Sequence, residues 1–153
     1  MKPVQQHAPL NILLADDDID DRFLFEKALN EIPIATHLTI VHDGEQLMNY
    51  LFENSTHLPD VLFLDISMPR KTGIECLSEI KENKKLKDIP VVIFSTSYPR
   101  DLKYEQNLIK ILSVIGAQHY IRKPSDFAKL KEVVHNELIK AIADKWGLDE
   151  NGG

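Results

Sequence analysis

The sequence predicts an α/β fold in which a parallel sheet carries helices on both faces, a doubly wound sandwich. Three short runs, at residues 11–15, 61–64 and 91–94, are apolar without alternation. Such runs are typical of parallel strands that are buried on both faces. Between them, apolar residues recur at three- and four-residue spacing, as on one face of a helix. Strand and helix therefore alternate along the chain, as a parallel sheet with crossover helices requires.

Five strand–helix units are expected in the chain of 153 residues. The three apolar runs form the central strands, and two weaker strands are expected at residues 38–41 and 118–121. Apolar spacing indicates the first helix at Phe23, Leu24, Ala28 and Leu29 and the third at Ile74, Leu77 and Ile80, and the others are expected near residues 43–54, 99–114 and 125–146. No repeat or Pro/Gly-rich linker divides the chain, so we expect one domain over residues 10–146, between flexible ends at residues 1–9 and 147–153.

Composition excludes several classes of protein. Hydrophobic residues make up 43% of the chain, which suffices for a core, and 24 acidic against 18 basic residues leave a net charge of −6. This charge argues against direct DNA binding, and no apolar run approaches the roughly 18 residues that span a bilayer. The single cysteine, Cys76, excludes an internal disulfide and is predicted to pack in the core. The six histidines share no ligand spacing, so no transition metal is expected. We expect a soluble, cytoplasmic protein.

A cluster of aspartates follows the first strand directly. Asp18 can cap the next helix, and Asp20 and Asp21 suit its first turn, where the positive end of the helix dipole favours carboxylates. These three need no ligand. Asp16 and Asp17 precede the cap at the end of a central strand, and two adjacent acids there repel each other unless a cation compensates.

A further carboxylate, Asp65, ends the third strand. The alternative, that Asp65 merely caps the next helix, is weakened because Pro69 and Gly73 separate it from that helix. If the first and third strands are neighbours, Asp65 faces Asp16 and Asp17, because ligands of open parallel sheets bind beyond the carboxyl ends of the strands. A site made of oxygen ligands suits a hard cation such as Mg2+.

The last two strands end in groups that can donate hydrogen bonds to an anion, in contrast to the carboxylates that follow the first and third strands. The fourth strand stops at Ser95, and the fifth is followed by Lys123 and Pro124. A hydroxyl and an ammonium are suited to neutralise the oxygens of a bound phosphoryl group. Each alone is ordinary for a turn or a surface, so their weight lies in meeting at the same edge of the sheet.

In chain order, these motifs resemble the receiver domain of two-component response regulators over about residues 10–145. They are the acidic pair 16–17, Asp65 with Met68, Pro69 and Gly73, Ser95, and Lys123 with Pro124. The resemblance implies the flavodoxin-like strand order 2-1-3-4-5. It also implies that a sensor histidine kinase or a histidine phosphotransfer protein donates a phosphoryl group to this chain, which signals without being an enzyme towards other substrates.

The resemblance also implies roles for individual residues. Asp65 is implied as the phosphoacceptor, assisted in catalysis by Ser95 and Lys123. Magnesium would be held by Asp17 directly, by Asp16 through water, by Asp65, and by the backbone carbonyl of Ser67. Ser95 and Tyr120 would form the conformational switch, and the peptide bond before Pro124 would be cis.

Two features depart from the family pattern. The span between Ser95 and Tyr120 is longer than usual, so we expect a longer fourth helix in the region that normally binds partners. The segment of residues 54–60, before the third strand, also looks longer than the family pattern. In this it is similar to the stand-alone receivers that accompany phytochrome-type kinases. After Pro124 we expect a long final helix through Trp146 and no output domain, so the output would be non-covalent.

The form of that output stays open between docking on a partner, phosphorelay, and withdrawal of phosphate from another regulator. Dimerisation through the face of the fourth and fifth units is a further option.

Two other classes of protein compete with the receiver interpretation. One is a phosphohydrolase or phosphotransferase that uses Asp65 on small phosphate esters, for which the 16–18 spacing offers superficial support. The other is a receiver-like binding module without phosphate turnover, which a missing acceptor or lysine would have favoured; neither is missing.

Overall fold

The fold is a five-stranded parallel sheet with helices on both faces, as predicted. The computed structural model describes residues 8–95 and 102–147. In these ranges the elements are β1 (Leu10–Ala15), α1 (Ile19–Asn30), β2 (Thr36–Val41), α2 (Gly44–Glu53), β3 (Val61–Leu64), α3 (Gly73–Glu82), β4 (Val91–Ser95), α4 (Leu102–Ile115), β5 (His119–Arg122) and α5 (Phe127–Trp146). The strand order is β2-β1-β3-β4-β5, which confirms the expected topology.

The ends of the chain and the start of the fourth helix are not tested by these elements. The predicted flexible segments at residues 1–9 and 147–153 lie almost entirely outside the described residues. So does the predicted start of the fourth helix at residue 99, as do Thr96 and Ser97 after β4. Within the described part, α5 runs through Trp146 as expected and ends at Gly147 in the left-handed conformation.

Successive side chains of the central strands point to opposite faces of the sheet, and each face carries its own core. Leu62 and Leu64 point into a core shared with α2, α3 and α4, while Val61 and Phe63 point into a core shared with α1 and α5. In the second core, three phenylalanine rings pack edge to face, with centroids 4.9 to 6.0 Å apart: Phe25, Phe63 and Phe94. These rings join α1 to the centre of the sheet.

Helices α1 and α4 bury fewer residues than their apolar content suggests. In α1 the buried residues include Phe25, whereas Phe23 and Leu24 are 65% and 38% exposed, so part of the predicted apolar face was wrong. Successive residues turn by about 100° around a helix, so a short apolar run necessarily covers more than one face. Among the α4 side chains that the structure describes, Leu112 alone is fully buried.

The register of the sheet brings the strand ends to one edge. Ala15 pairs with Leu64 across β1 and β3, and Ser95 pairs with Arg122 across β4 and β5. The residues that follow β1, β3 and β5 therefore emerge at the same edge of the sheet.

Candidate phosphoryl and metal site

Three aspartates converge at the carboxyl edge of β1 and β3. Asp16, Asp17 and Asp65 each offer one carboxylate oxygen, and these oxygens lie within 4.8 Å of one another. Asp16 and Asp65 are buried, with 1% and 4% exposure, while Asp17 is exposed. Among the described residues this is the one cluster of three or more ligand-type side chains suited to a metal. The predicted juxtaposition is therefore present.

The backbone orients two of these carboxylates. Asp16 Oδ1 accepts a hydrogen bond of 2.9 Å from the Asp18 N–H, and Asp65 Oδ1 accepts one of 3.0 Å from the Ser67 N–H. Asp18 in turn caps α1 by accepting from the N–H groups of Asp20 and Asp21, which confirms its predicted role. Each buried carboxylate thus keeps its second oxygen, Oδ2, towards the centre of the site.

A single ammonium lies among the carboxylates. Lys123 Nζ is 2.5 Å from Asp16 Oδ2, 3.0 Å from Asp21 Oδ2 and 3.5 Å from Asp65 Oδ2, and its side chain is only 6% exposed. The backbone N–H of Lys123 donates to the Ser95 carbonyl at 2.8 Å, and this hydrogen bond anchors the lysine to β4. Lys123 therefore lies at the same edge of the sheet as Asp16 and Asp65, as predicted.

Burial and charge act against each other on these groups. Burial raises the pKa of Asp16 from 3.8 to about 6, although the neighbouring Lys123 opposes the rise. Burial alone would lower the pKa of Lys123, but the carboxylates of Asp16 and Asp65 outweigh it and the pKa is raised. Lys123 thus stays cationic, and one ammonium cannot neutralise all the carboxylates around it.

The two predicted switch residues lie on adjacent strands. Ser95 is fully buried at the end of β4, and Tyr120 is half-buried on β5. The Tyr120 hydroxyl donates to Glu105 Oε2 on α4 at 3.4 Å. In this conformation the tyrosine therefore links β5 to α4.

The response regulator receiver domain family matches residues 12–135 of the chain. The chain belongs to this family. Response regulator Rcp1 of Synechocystis sp. is 38% identical over 102 residues, which cover 63% of this receiver and 69% of Rcp1. Proteins of the family are phosphorylated on an aspartate in two-component signalling and bind Mg2+ or Mn2+ at an acidic pocket.

Two solved structures resemble this receiver closely. The phosphorylated cyanobacterial phytochrome response regulator RcpA is 29% identical with a TM-score of 0.76, covering 90% of this receiver and 96% of that chain. The Mn2+-bound form of Rcp1 is 30% identical with a TM-score of 0.71, covering 84% and 91%. The stand-alone and phytochrome-related resemblance predicted above is thus confirmed. Within the described residues, none of the helices combines the length and apolar character needed to cross a membrane.

The donor set of this receiver fits a hard divalent cation. All three clustered side chains offer carboxylate oxygens, and hard cations prefer oxygen ligands over nitrogen or sulfur. Asp16, Asp17 and Asp65 would hold the ion. The Ser67 carbonyl, expected as a further ligand, lies in the loop that follows Asp65, and its role remains a prediction.

Two contacts at the site were missed from the sequence. Asp21 was assigned only to the first turn of α1, yet its carboxylate pairs with Lys123. Arg22 was also missed, and its Nη1 donates to the Asp16 carbonyl at 3.0 Å. Their positions in the sequence could have indicated these contacts, because the first turn of α1 lies at the same edge of the sheet as the residue after β5.

Two expectations about single residues have clear outcomes. The predicted cis bond before Pro124 is wrong, because the structure has no cis peptide bond among its described residues. Trans is the intrinsic preference of X–Pro bonds, and Lys123 reaches the site without the cis form. Cys76 is fully buried as predicted, and burial raises the pKa of its thiol to about 12.

Proposed function

We propose that this receiver accepts a phosphoryl group on Asp65 from a phosphohistidine donor, with Mg2+ held by Asp16, Asp17 and Asp65. The observation that carries the proposal is the meeting of these carboxylates with Lys123 at one sheet edge. A carboxylate nucleophile requires its surrounding negative charge to be offset before an anionic phosphoryl group can approach. Lys123 supplies part of that offset.

The geometry distinguishes the two oxygens of Asp65. Oδ1 is engaged by the Ser67 N–H, whereas Oδ2 faces the Lys123 ammonium. We infer that Oδ2 attacks phosphorus and that the bond from phosphorus to the donor imidazole nitrogen breaks. The donor ring enters the step protonated on its other nitrogen, so it leaves as a neutral imidazole. A bound Mg2+ would neutralise phosphoryl oxygens. Hydrolysis of the resulting acyl phosphate by water returns the Asp65 carboxylate and inorganic phosphate.

Ser95 and Tyr120 would carry the event to α4. The Ser95 hydroxyl would contact a phosphoryl oxygen, and Tyr120 would exchange its hydrogen bond with Glu105 for an inward position. The phosphoryl group then acts as a ligand that favours one of two arrangements of α4. The support is the link from Tyr120 to α4 together with the light burial of that helix.

The donor would dock beside the site on α1. Ile19, Phe23 and Leu24 are large apolar residues with 70%, 65% and 38% exposure, and they begin directly after Asp18. Exposed apolar patches that border a reactive group are typical of transient protein interfaces. A sensor histidine kinase or a histidine phosphotransfer protein would supply the donor histidine. The likeness to RcpA, a phytochrome response regulator, favours a phytochrome-type kinase.

The output would proceed by non-covalent docking of a partner on the α4 and β5 surface or by phosphorelay to a histidine. Tyr104, Ile111 and Val114 expose 60%, 53% and 83% of their side chains on α4, which supports docking there. A dimer of two such receivers through the same surface is a special case of that docking. We propose no turnover of small phosphate esters beyond the protein's own phosphorylation and dephosphorylation.

The decisive experiment measures a covalent adduct on Asp65. The protein is incubated with acetyl phosphate and Mg2+, and its intact mass is followed in the wild type and in Asp65→Asn. We expect a Mg2+-dependent phosphoryl adduct that the variant lacks. An adduct of equal yield in Asp65→Asn would move the acceptor elsewhere, and sustained turnover of sugar phosphates would support the rival enzyme class instead.

A further inference from the structure

The three donors of Lys123 face three different carboxylates. An ammonium has three N–H groups, and the carboxylates of Asp16, Asp21 and Asp65 lie at 2.5, 3.0 and 3.5 Å from Nζ. A phosphoryl oxygen can gain a lysine hydrogen bond only if one of these contacts weakens. Asp21 is closer to Nζ than the acceptor Asp65 is.

Asp21 differs from the other two partners. Asp16 and Asp65 belong to the group of three side chains suited to a metal, whereas Asp21 lies outside that group. A cation bound at this site would offset the negative charges of Asp16 and Asp65. The Asp21 carboxylate would stay free to hold Lys123. Because the Lys123 side chain is 6% exposed and that of Asp21 is 25% exposed, solvent screens this ion pair less than a surface pair.

We propose that Asp21 is a positioning residue that competes with the phosphoryl group for Lys123 and so limits how tightly the phosphorylated state is held. The inference rests on the proposed function at Asp65. A lysine that remains paired with Asp21 offers the phosphoryl oxygens one donor fewer and less net positive charge. Removing the Asp21 charge while keeping its shape should release the lysine towards the phosphoryl group.

Asp20 provides a matched control. It stands beside Asp21 in the first turn of α1, carries the same charge and is exposed, and no described contact joins it to Lys123. Both residues favour the positive end of the helix dipole, so a role limited to the helix would affect both substitutions alike. A role through Lys123 would affect Asp21 alone.

The test titrates beryllofluoride, an analogue of the phosphoryl group, at saturating Mg2+ by calorimetry. Asp21→Asn should bind it about threefold to tenfold more tightly than the wild type, as expected for losing one competing, partly screened ion pair. Asp20→Asn should stay within about twofold, and Asp21→Glu, which restores the charge, should return towards the wild-type affinity. Unchanged or weaker binding in Asp21→Asn would overturn the inference.

A spectroscopic readout separates positioning from a general effect on the fold. The 15N resonance of the Lys123 ammonium should shift in Asp21→Asn and not in Asp20→Asn; equal shifts in both would contradict a direct contact. Failure of the proposed function is distinguishable, because the wild type would then bind no beryllofluoride with Mg2+. If the wild type binds and Asp21→Asn matches it, the present inference alone fails.

Discussion

Replacing Gly73 by alanine tests how closely Asp65, the proposed acceptor, depends on the start of α3. A Cβ at Gly73 would lie 2.4 Å from the Asp65 carbonyl oxygen and 2.6 Å from the Ile66 Cα. Ordinary contacts of carbon begin at about 3.5 Å, so a displacement of roughly 1 Å is needed. The neighbours are backbone atoms, which cannot rotate aside as a flexible side chain would.

The expected cost follows from two opposing effects. Overpacking costs about 1–3 kcal/mol, and the better helix propensity of alanine returns up to about 1 kcal/mol. The Gly73 N–H also donates to the Ile66 carbonyl at 3.1 Å, so movement of α3 would strain that bond as well. We expect a net loss of about 2 kcal/mol in the free energy of unfolding. A displacement of about 1 Å at Asp65 should slow phosphorylation by up to about 100-fold.

Urea unfolding measures the stability, and the rate of adduct formation from acetyl phosphate measures the reactivity. Gly147→Ala is the control, because nothing lies within 4 Å of its Cβ position and its only penalty is a φ of 66°. It should lose about 1 kcal/mol and keep the wild-type phosphorylation rate. A Gly73→Ala protein with wild-type stability and rate would refute the close-contact reasoning.

Three further predictions concern the core and the acidic edge. Phe63→Ala should lose about 3–5 kcal/mol of stability in urea, because Phe63 is fully buried, whereas Phe23→Ala at an exposed position should change it by about 0.5 kcal/mol or less. In Mg2+ titrations Asp17→Ala should abolish binding, while Asp20→Ala should retain it and cost less than about 1 kcal/mol; equal loss of binding would mean that the cluster was divided wrongly. Without metal, stability should fall as pH rises from 3.8 to about 6, because folded Asp16 keeps a proton that the unfolded chain releases. Urea unfolding at several pH values should show this slope in the wild type and a flatter one in Asp16→Asn; equal slopes would remove Asp16 as its source.

Much of the architecture was predictable because central parallel strands carry an unusual pattern. The runs that became β1, β3 and β4 are apolar at every position except Asn11 and the terminal Ser95, as burial on both faces requires. Their ends then locate Asp16, Asp65 and Ser95 at one edge. The strand order itself came from the family resemblance, since apolar runs alone do not determine which strands are neighbours.

The details that escaped prediction depend on contacts between distant parts of the chain. Asp21 and Lys123 are 102 positions apart, and their ion pair exists only because the first turn of α1 meets the end of β5. Phe25 rather than Phe23 faces the core because α1 packs on the sheet through the side of the helix that also carries Ala28 and Leu29.

The light anchoring of α4 has a consequence for how such a protein diversifies. Leu112 is its one fully buried residue among the described side chains, whereas α5 buries five residues. Substitutions at exposed α4 positions such as Ile111 and Val114 therefore alter the surface offered to a partner at little cost in stability. The three clustered carboxylates and Lys123 lie outside α4, so the surface offered to a partner can diverge without replacing any of those four residues.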